Sequence, residues 1–185
     1  MAAERLNRLV DNLLDMTRLE SGRIMPAIDW CDVHDLVNTS LRKLSRELSN
    51  HIVTVDIPPD MPLVKLDFGL IEQAITNLLH NASLYTPAGS TVQIRVFTEA
   101  QECVIVITDN GPGFPKDSLP KVFEKFYRVP GTKAGGTGLG LSISRGFVEA
   151  HQGTMKVENR EGGGAQFTIR LPMQSENQGP KNISA

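Results

Sequence analysis

With 185 residues, 40% of them hydrophobic, the chain is long enough for one packed domain plus an accessory element. A formal net charge of −2 gives no basic field of the kind that holds nucleic acid, so nucleic acid is not an expected partner. Cys31 and Cys103 lie far apart and outside any metal-ligand spacing, and no apolar run nears the ~18 residues of a membrane helix, so the expectation is a soluble, cytoplasmic chain with reduced thiols, tied to a membrane only through segments it does not contain.

Residues 3–21 carry Leu6, Leu9, Leu13 and Met16 at spacings of three and four, with Val10 and Leu14 widening the stripe. This pattern predicts a helix with two buried faces, ended by Gly22. The expected partner for the stripe is a second chain or an absent helix, rather than the chain's own globular part. From Arg23 to Trp30 the pattern turns extended. Asp32 then caps a helix through Val33, Leu36, Val37, Leu41, Leu44 and Leu48. Residues 52–57 read as a strand closed by Pro58 and Pro59, and a short strand over 63–66 leads to Asp67. Asp67 is the N-cap of a long helix with Leu70, Ile71, Ala74, Ile75, Leu78, Leu79 and Ala82 on its apolar side, broken at Thr86-Pro87-Ala88-Gly89. Strands over 91–98 and 103–108 follow, then a loop after Asp109 and a short helix over 119–126. Residues 128–136 hold Pro130, Gly131, Gly135 and Gly136 with almost no apolar side chain, which predicts a mobile segment. A helix over 139–151 and strands over 154–159 and 165–171 complete the core, and the polar tail 174–185 is expected to be disordered.

Three clusters at element boundaries carry chemistry. Asn77 and Asn81 are four apart on the long helix, so their amides share a face, and an amide oxygen there can ligate a hard cation such as Mg²⁺ without adding charge. Read alone, the pair is better taken as solvated or capping amides, but its apolar neighbours Leu78, Leu79 and Ala82 put the face at the edge of a core. Asp109-Asn110-Gly111-Pro112-Gly113 follows an apolar strand, so a carboxylate at the strand end can accept from the exocyclic amine of a flat ligand such as adenine, where a bare turn would need no second glycine. Gly136-Thr137-Gly138-Leu139-Gly140-Leu141 runs into a helix start, where free amides and the helix dipole favour phosphate. It lacks the G-K-[ST] ending of a P-loop, and no leading strand–helix unit supports a dinucleotide fold. No Glu or Asp stands at 77, 80 or 84 to orient a hydrolytic water.

In order along the chain, Asn77-Leu78-Leu79-His80-Asn81-Ala82, Asp109 to Phe114, Phe123-Glu124-Lys125-Phe126-Tyr127-Arg128 and Gly136 to Leu141 resemble the N, G1, F and G2 boxes of sensor histidine kinases. The likeness covers roughly residues 29–172, including Gly162-Gly163-Gly164-Ala165-Gln166-Phe167. It implies the Bergerat (GHKL) fold, an α/β two-layer sandwich shared with gyrase, Hsp90 and MutL ATPases, with ATP and Mg²⁺ as ligands. On that resemblance Asn81 binds the metal with Asn77 beside it, and Asp109 reads adenine. Tyr85, Gly111, Gly113, Phe114 and Tyr127 belong to the pocket, Lys125 and Arg128 hold phosphates, and Gly136, Thr137, Gly138, Leu139, Gly140 and Leu141 shape the lid. The run from Leu9 to Gly22 is similar to the second helix of the kinases' dimerisation hairpin, and with Trp30 following it most resembles the KdpD-type, potassium-responsive sensors.

That resemblance implies residues 1–22 as half a hairpin, 23–31 as a linker strand, 32–173 as the catalytic domain and 174–185 as a tail. Two departures stand out. Leu84 occupies a position where these kinases often carry Lys or Arg, leaving Lys125, Arg128 or Lys133 to make up a phosphate contact. His34, His51, His80 and His151 all lack the acceptor pattern of a His, an acidic residue and Arg-Thr-Pro. The expectation is therefore a fragment of a homodimeric membrane sensor, whose acceptor hairpin supplies the histidine and whose response regulator takes the phosphoryl group onward. Two rivals remain open at this point: a GHKL ATPase, and an anti-sigma-like interaction module without kinase activity.

Overall fold

The computed structural model describes residues 2–132 and 136–173. Lys133, Gly135, part of the expected mobile segment and the expected disordered tail 174–185 lie outside the described residues.

Five strands form the main sheet, in the order β2 (Ile52–Asp56), β4 (Thr91–Glu99), β5 (Glu102–Asp109), β7 (Ala165–Pro172) and β6 (Thr154–Asn159). β2 pairs parallel with β4 and every other pairing is antiparallel. Alternation puts Val92, Ile94 and Val96 of β4 and Ala165, Phe167, Ile169 and Leu171 of β7 on the buried face. Register aligns them into rows: Ile94 opposes Ile107, which opposes Phe167, and Val96 opposes Ile105, which opposes Ile169. Against this face pack α2 (Val33–Lys43), α3 (Phe68–Tyr85) and α4 (Gly140–Ala150), giving a two-layer sandwich. A separate ribbon of β1 (Asp29–Cys31) and β3 (Val64–Leu66) leads the chain in, so the extended expectation over 23–30 becomes a strand only at its end.

The two aspartate caps form as their sequence positions predict. Asp32 accepts from the amide of His34 at 2.7 Å and Asp67 from that of Leu70 at 3.1 Å. His151 at the end of α4 ties the layers together. Its Nε2 accepts from the amide of Asp67 at 2.9 Å, so Nδ1 carries the proton donated to the carbonyl of Phe147 at 2.7 Å.

Three expectations need correction. The helix through Leu48 ends at Lys43, and Leu44 and Leu48 reach the core from turns instead. The helix expected over 119–126 is only a 3₁₀ turn, Leu119–Lys121. Phe126 has φ +63°, which no helix accepts, and its amide donates to the carbonyl of Gly138 at 2.9 Å rather than to its own preceding turn. The N-terminal helix α1 (Ala2–Glu20) departs from expectation only in part: its C-terminal end, with Met16 of the stripe, rests on its own chain. Met16 and Leu19 pack with Ile24 and Leu70 on Leu139, Ile143 and Phe147. The rest of the stripe, Leu6, Leu9, Val10, Leu13 and Leu14, stays exposed.

Candidate functional site

The end of α3, the end of β5 and the start of α4 meet around a cavity of about 450 Å³, a size suited to a small organic ligand. α3 brings Asn77, Asn81 and Tyr85 to its wall. The Asn77 amide nitrogen donates to the Gly140 carbonyl at 3.3 Å and to Ser144 Oγ at 3.2 Å, lacing α3 to the first turns of α4. This commits the nitrogen and leaves Oδ1 as the group able to face a cation. Among the described residues no cluster of three or more His, Cys, Asp or Glu could hold a metal ion. A cation here would rest on neutral amides and on the ligand's own oxygens, a set that fits Mg²⁺ on a polyphosphate.

Asp109 ends β5 and is 9% exposed. Its Oδ1 accepts from the amides of Gly111 at 2.9 Å and Ala165 at 3.2 Å, which leaves Oδ2 as its uncommitted oxygen. Of the described residues that line the cavity, Asp109 alone carries a carboxylate. Its backbone is pinned as closely: Arg160 Nη1 donates to the Asp109 carbonyl at 3.0 Å, and Gly164, at φ +95°, lies so near that a Cβ there would stand 1.9 Å from the same oxygen. Phe114 and Phe167, edge to face at a centroid distance of 6.0 Å, supply an apolar wall for a flat ring.

Opposite stands the loop that enters α4. Gly138 has φ +73°, and a Cβ would fall 2.7 Å from the Phe126 backbone, so only glycine lets the loop close on that strand of chain. Leu139, the residue before α4, makes no side-chain cap bond to the helix, so the first amides of α4 are left to other acceptors. Thr137 Oγ1 accepts from the Leu139 amide at 3.3 Å and from Asn12 Nδ2 of α1 at 3.2 Å.

Thirteen expected site residues line this one cavity: Asn77, Asn81, Tyr85, Asp109, Gly113, Phe114, Tyr127, Arg128, Gly136, Thr137, Gly138, Gly140 and Leu141. Three stand off it. Gly111 sits behind Asp109, against Thr86; Leu139 is fully buried beneath α1; and Lys125 forms an ion pair with Glu20 of α1. Asn12, Thr86, Thr132 and Phe167 line the cavity without having been singled out for it. Thr86 opens the turn that breaks α3 and Phe167 ends the run from Gly162, whereas Asn12, within the run from Leu9 to Gly22, carries no signal of a ligand site.

Residues 67–175, more than half of the chain, match the family described as histidine kinase-, DNA gyrase B-, and HSP90-like ATPase. The chain belongs to this family. Sensor protein KdpD of Clostridium acetobutylicum is 39% identical over 173 residues, covering 91% of this chain and 19% of the relative. Sensor protein KdpD of Escherichia coli is 37% identical over 171 residues, again covering 91% and 19%. The chain thus spans about a fifth of the length of these curated relatives. Among solved structures, the histidine kinase AdeS of Acinetobacter baumannii aligns with a TM-score of 0.77 at 27% identity, covering 94% of this chain and 81% of that one. The fold is accordingly the Bergerat sandwich of histidine kinase catalytic domains, and the relatives bear out the likeness to KdpD-type sensors.

Proposed function

We propose that the chain is the ATP-binding catalytic part of a sensor histidine kinase, donating the γ-phosphoryl group of ATP to a histidine outside residues 1–185. In this reading residues 32–173 form the catalytic domain, 23–31 the linker and 1–22 the second helix of the acceptor hairpin. The observation that carries it is the convergence of Asp109, the Asn77–Asn81 pair and the Gly136–Gly140 loop on one cavity.

Phosphoryl transfer asks a protein mainly for positioning and charge stabilisation. Asp109 Oδ2 accepts from the adenine amine while Phe114 and Phe167 flank the ring. The loop amides before α4 and the Arg128 guanidinium, both on the cavity wall, hold the phosphate oxygens. Mg²⁺ would be held by Asn81 with the Asn77 carbonyl oxygen beside it, and when bound it neutralises phosphate charge. The acceptor imidazole attacks the γ-phosphorus, its P–N bond forms as the P–O bond to ADP breaks, and the phosphohistidine then serves a response regulator. Transfer is favoured over hydrolysis because Asn77, His80 and Leu84 line the cavity and none is a carboxylate. The buried carboxylate of α3, Glu72, is held by Lys43 and Thr76. The exposed apolar stripe of α1 is the surface through which the full-length kinase would form its homodimer, and the parent would be a membrane sensor with this part in the cytoplasm.

The test mixes the chain with a separate hairpin bearing the family's acceptor histidine and with radiolabelled ATP. Acid-labile label on the hairpin is the expected result. An unlabelled hairpin together with rapid release of free phosphate would favour the ATPase reading instead.

A further inference from the structure

α1 lies outside the segment that matches the ATPase family, yet one of its side chains reaches the cavity. Asn12 is 5% exposed on a helix whose neighbours Leu9, Val10, Leu13 and Leu14 all face solvent, so it is turned inward by the way the helix docks. Its Nδ2 donates to Thr137 Oγ1 at 3.2 Å, across 125 residues of chain. The Leu139 amide donates to the same oxygen at 3.3 Å. Two donors occupy both lone pairs of the hydroxyl, so what Thr137 has left to offer the cavity is its proton. The helix is held in place for this by contacts along its C-terminal half, beyond Asn12. Gln73 bonds to Asp15, Met16 and Leu19 pack on α4, and Glu20 pairs with Lys125. Leu19 lies directly over Gly146, where a Cβ would come within 2.8 Å of its Cδ1, so the absence of a side chain there lets Leu19 seat on α4.

We propose that Asn12 is a positioning residue of the nucleotide site: it orients the Thr137 hydroxyl to donate to a phosphate oxygen, so polyphosphate binding and the docking of α1 on α4 strengthen each other. This rests on the reading of the cavity as an adenine-nucleotide site. By linkage, any force that lifts α1 off α4 weakens the grip on the phosphates, and bound nucleotide holds α1 down by the same factor.

The test is calorimetric titration of the whole chain with the non-hydrolysable triphosphate AMP-PNP and, separately, with adenosine, which has no phosphate. Asn12→Ala is expected to weaken AMP-PNP about 5-fold, the size of one ordinary hydrogen bond, and to leave adenosine within about 2-fold. Thr137→Val should do the same, and the double variant should be no worse than Thr137→Val alone. Asn12→Asp, nearly the same shape, should lose more than Asn12→Ala, because a carboxylate there takes the Thr137 proton and repels phosphate. AMP-PNP should also slow amide exchange in residues 9–20 of the wild type and fail to do so in Thr137→Val. Equal AMP-PNP affinity in wild type and Asn12→Ala, or an equal fall for adenosine, would overturn the proposal while leaving the nucleotide site intact. A wild-type chain that bound neither ligand would overturn the site assignment itself.

Discussion

Two glycines in one loop should respond very differently to the same methyl group. Gly162 and Gly164 both hold positive φ, +85° and +95°, so alanine at either position costs about 1–2 kcal/mol in backbone strain. Around Gly162 a Cβ meets nothing within 4 Å. At Gly164 it would stand 1.9 Å from the Asp109 carbonyl oxygen and 2.9 Å from Asn110 Cα, and these are backbone atoms that no rotamer change can move. Relief requires parting β5 from the loop, an overpacking cost of about 1–3 kcal/mol more. Gly164→Ala should therefore lose about 2–5 kcal/mol where Gly162→Ala loses about 1–2. At roughly 2–4 °C per kcal/mol for a chain of this length, thermal unfolding should separate the two clearly. The displaced strand end carries Asp109, so Gly164→Ala should also weaken adenine-nucleotide binding and Gly162→Ala should not. Equal melting temperatures for the two variants would refute the packing argument.

Other parts of the molecule give sharper single readouts. Burial pushes the Cys103 thiol up to about 12, so it should resist alkylation of the native protein at pH 9 and react fully in denaturant. Because the unfolded thiol ionises near pH 8.5 while the folded one holds its proton, this group's contribution to stability is complete below that pH and should be lost as pH rises toward 12. Lys43→Met leaves the buried Glu72 carboxylate with only the Thr76 hydroxyl, and urea denaturation should show a loss of about 1–3 kcal/mol; no loss would mean that solvent reaches Glu72. The Lys125–Glu20 pair is half exposed on both sides, so Lys125→Ala should change stability by less than about 1 kcal/mol. Its effect on AMP-PNP affinity then tells whether Lys125 leaves Glu20 for the phosphates.

Much of the sheet and helix order was legible because it rests on local physics. Asp32 and Asp67 cap the helices they precede, and the apolar alternation in 91–98 and the continuous apolar run in 103–108 mark the paired central strands. The motif residues were legible too, since each lies at the end of an element that the pattern itself locates. Where reading by sequence stopped, distant contacts were in control. Periodicity in α1 showed an apolar stripe, but not that Met16 would be covered by α4 while Leu13, one turn earlier, stayed exposed. Phe126 continues an apparent short helix by composition, yet its amide is claimed by Gly138. Leu139 stands inside a glycine motif but is drawn into the core beneath α1, and Lys125 faces a glutamate 105 residues away. Asn12 is invisible for the same reason: its partner is set by how a helix docks.

The central claim, that this cavity reads adenine through Asp109, is tested most directly by titrating Asp109→Asn with AMP-PNP in a calorimeter. Oδ1 would keep its two backbone donors, Gly111 and Ala165, and so fix the orientation of the amide. Its nitrogen then replaces Oδ2, and a donor meets the donor of the adenine amine. Loss of a charge-assisted hydrogen bond plus an unpaired amine amounts to about 3–5 kcal/mol, a fall in affinity of at least about 100-fold in a protein that still melts cooperatively. Undiminished affinity in Asp109→Asn would contradict the account.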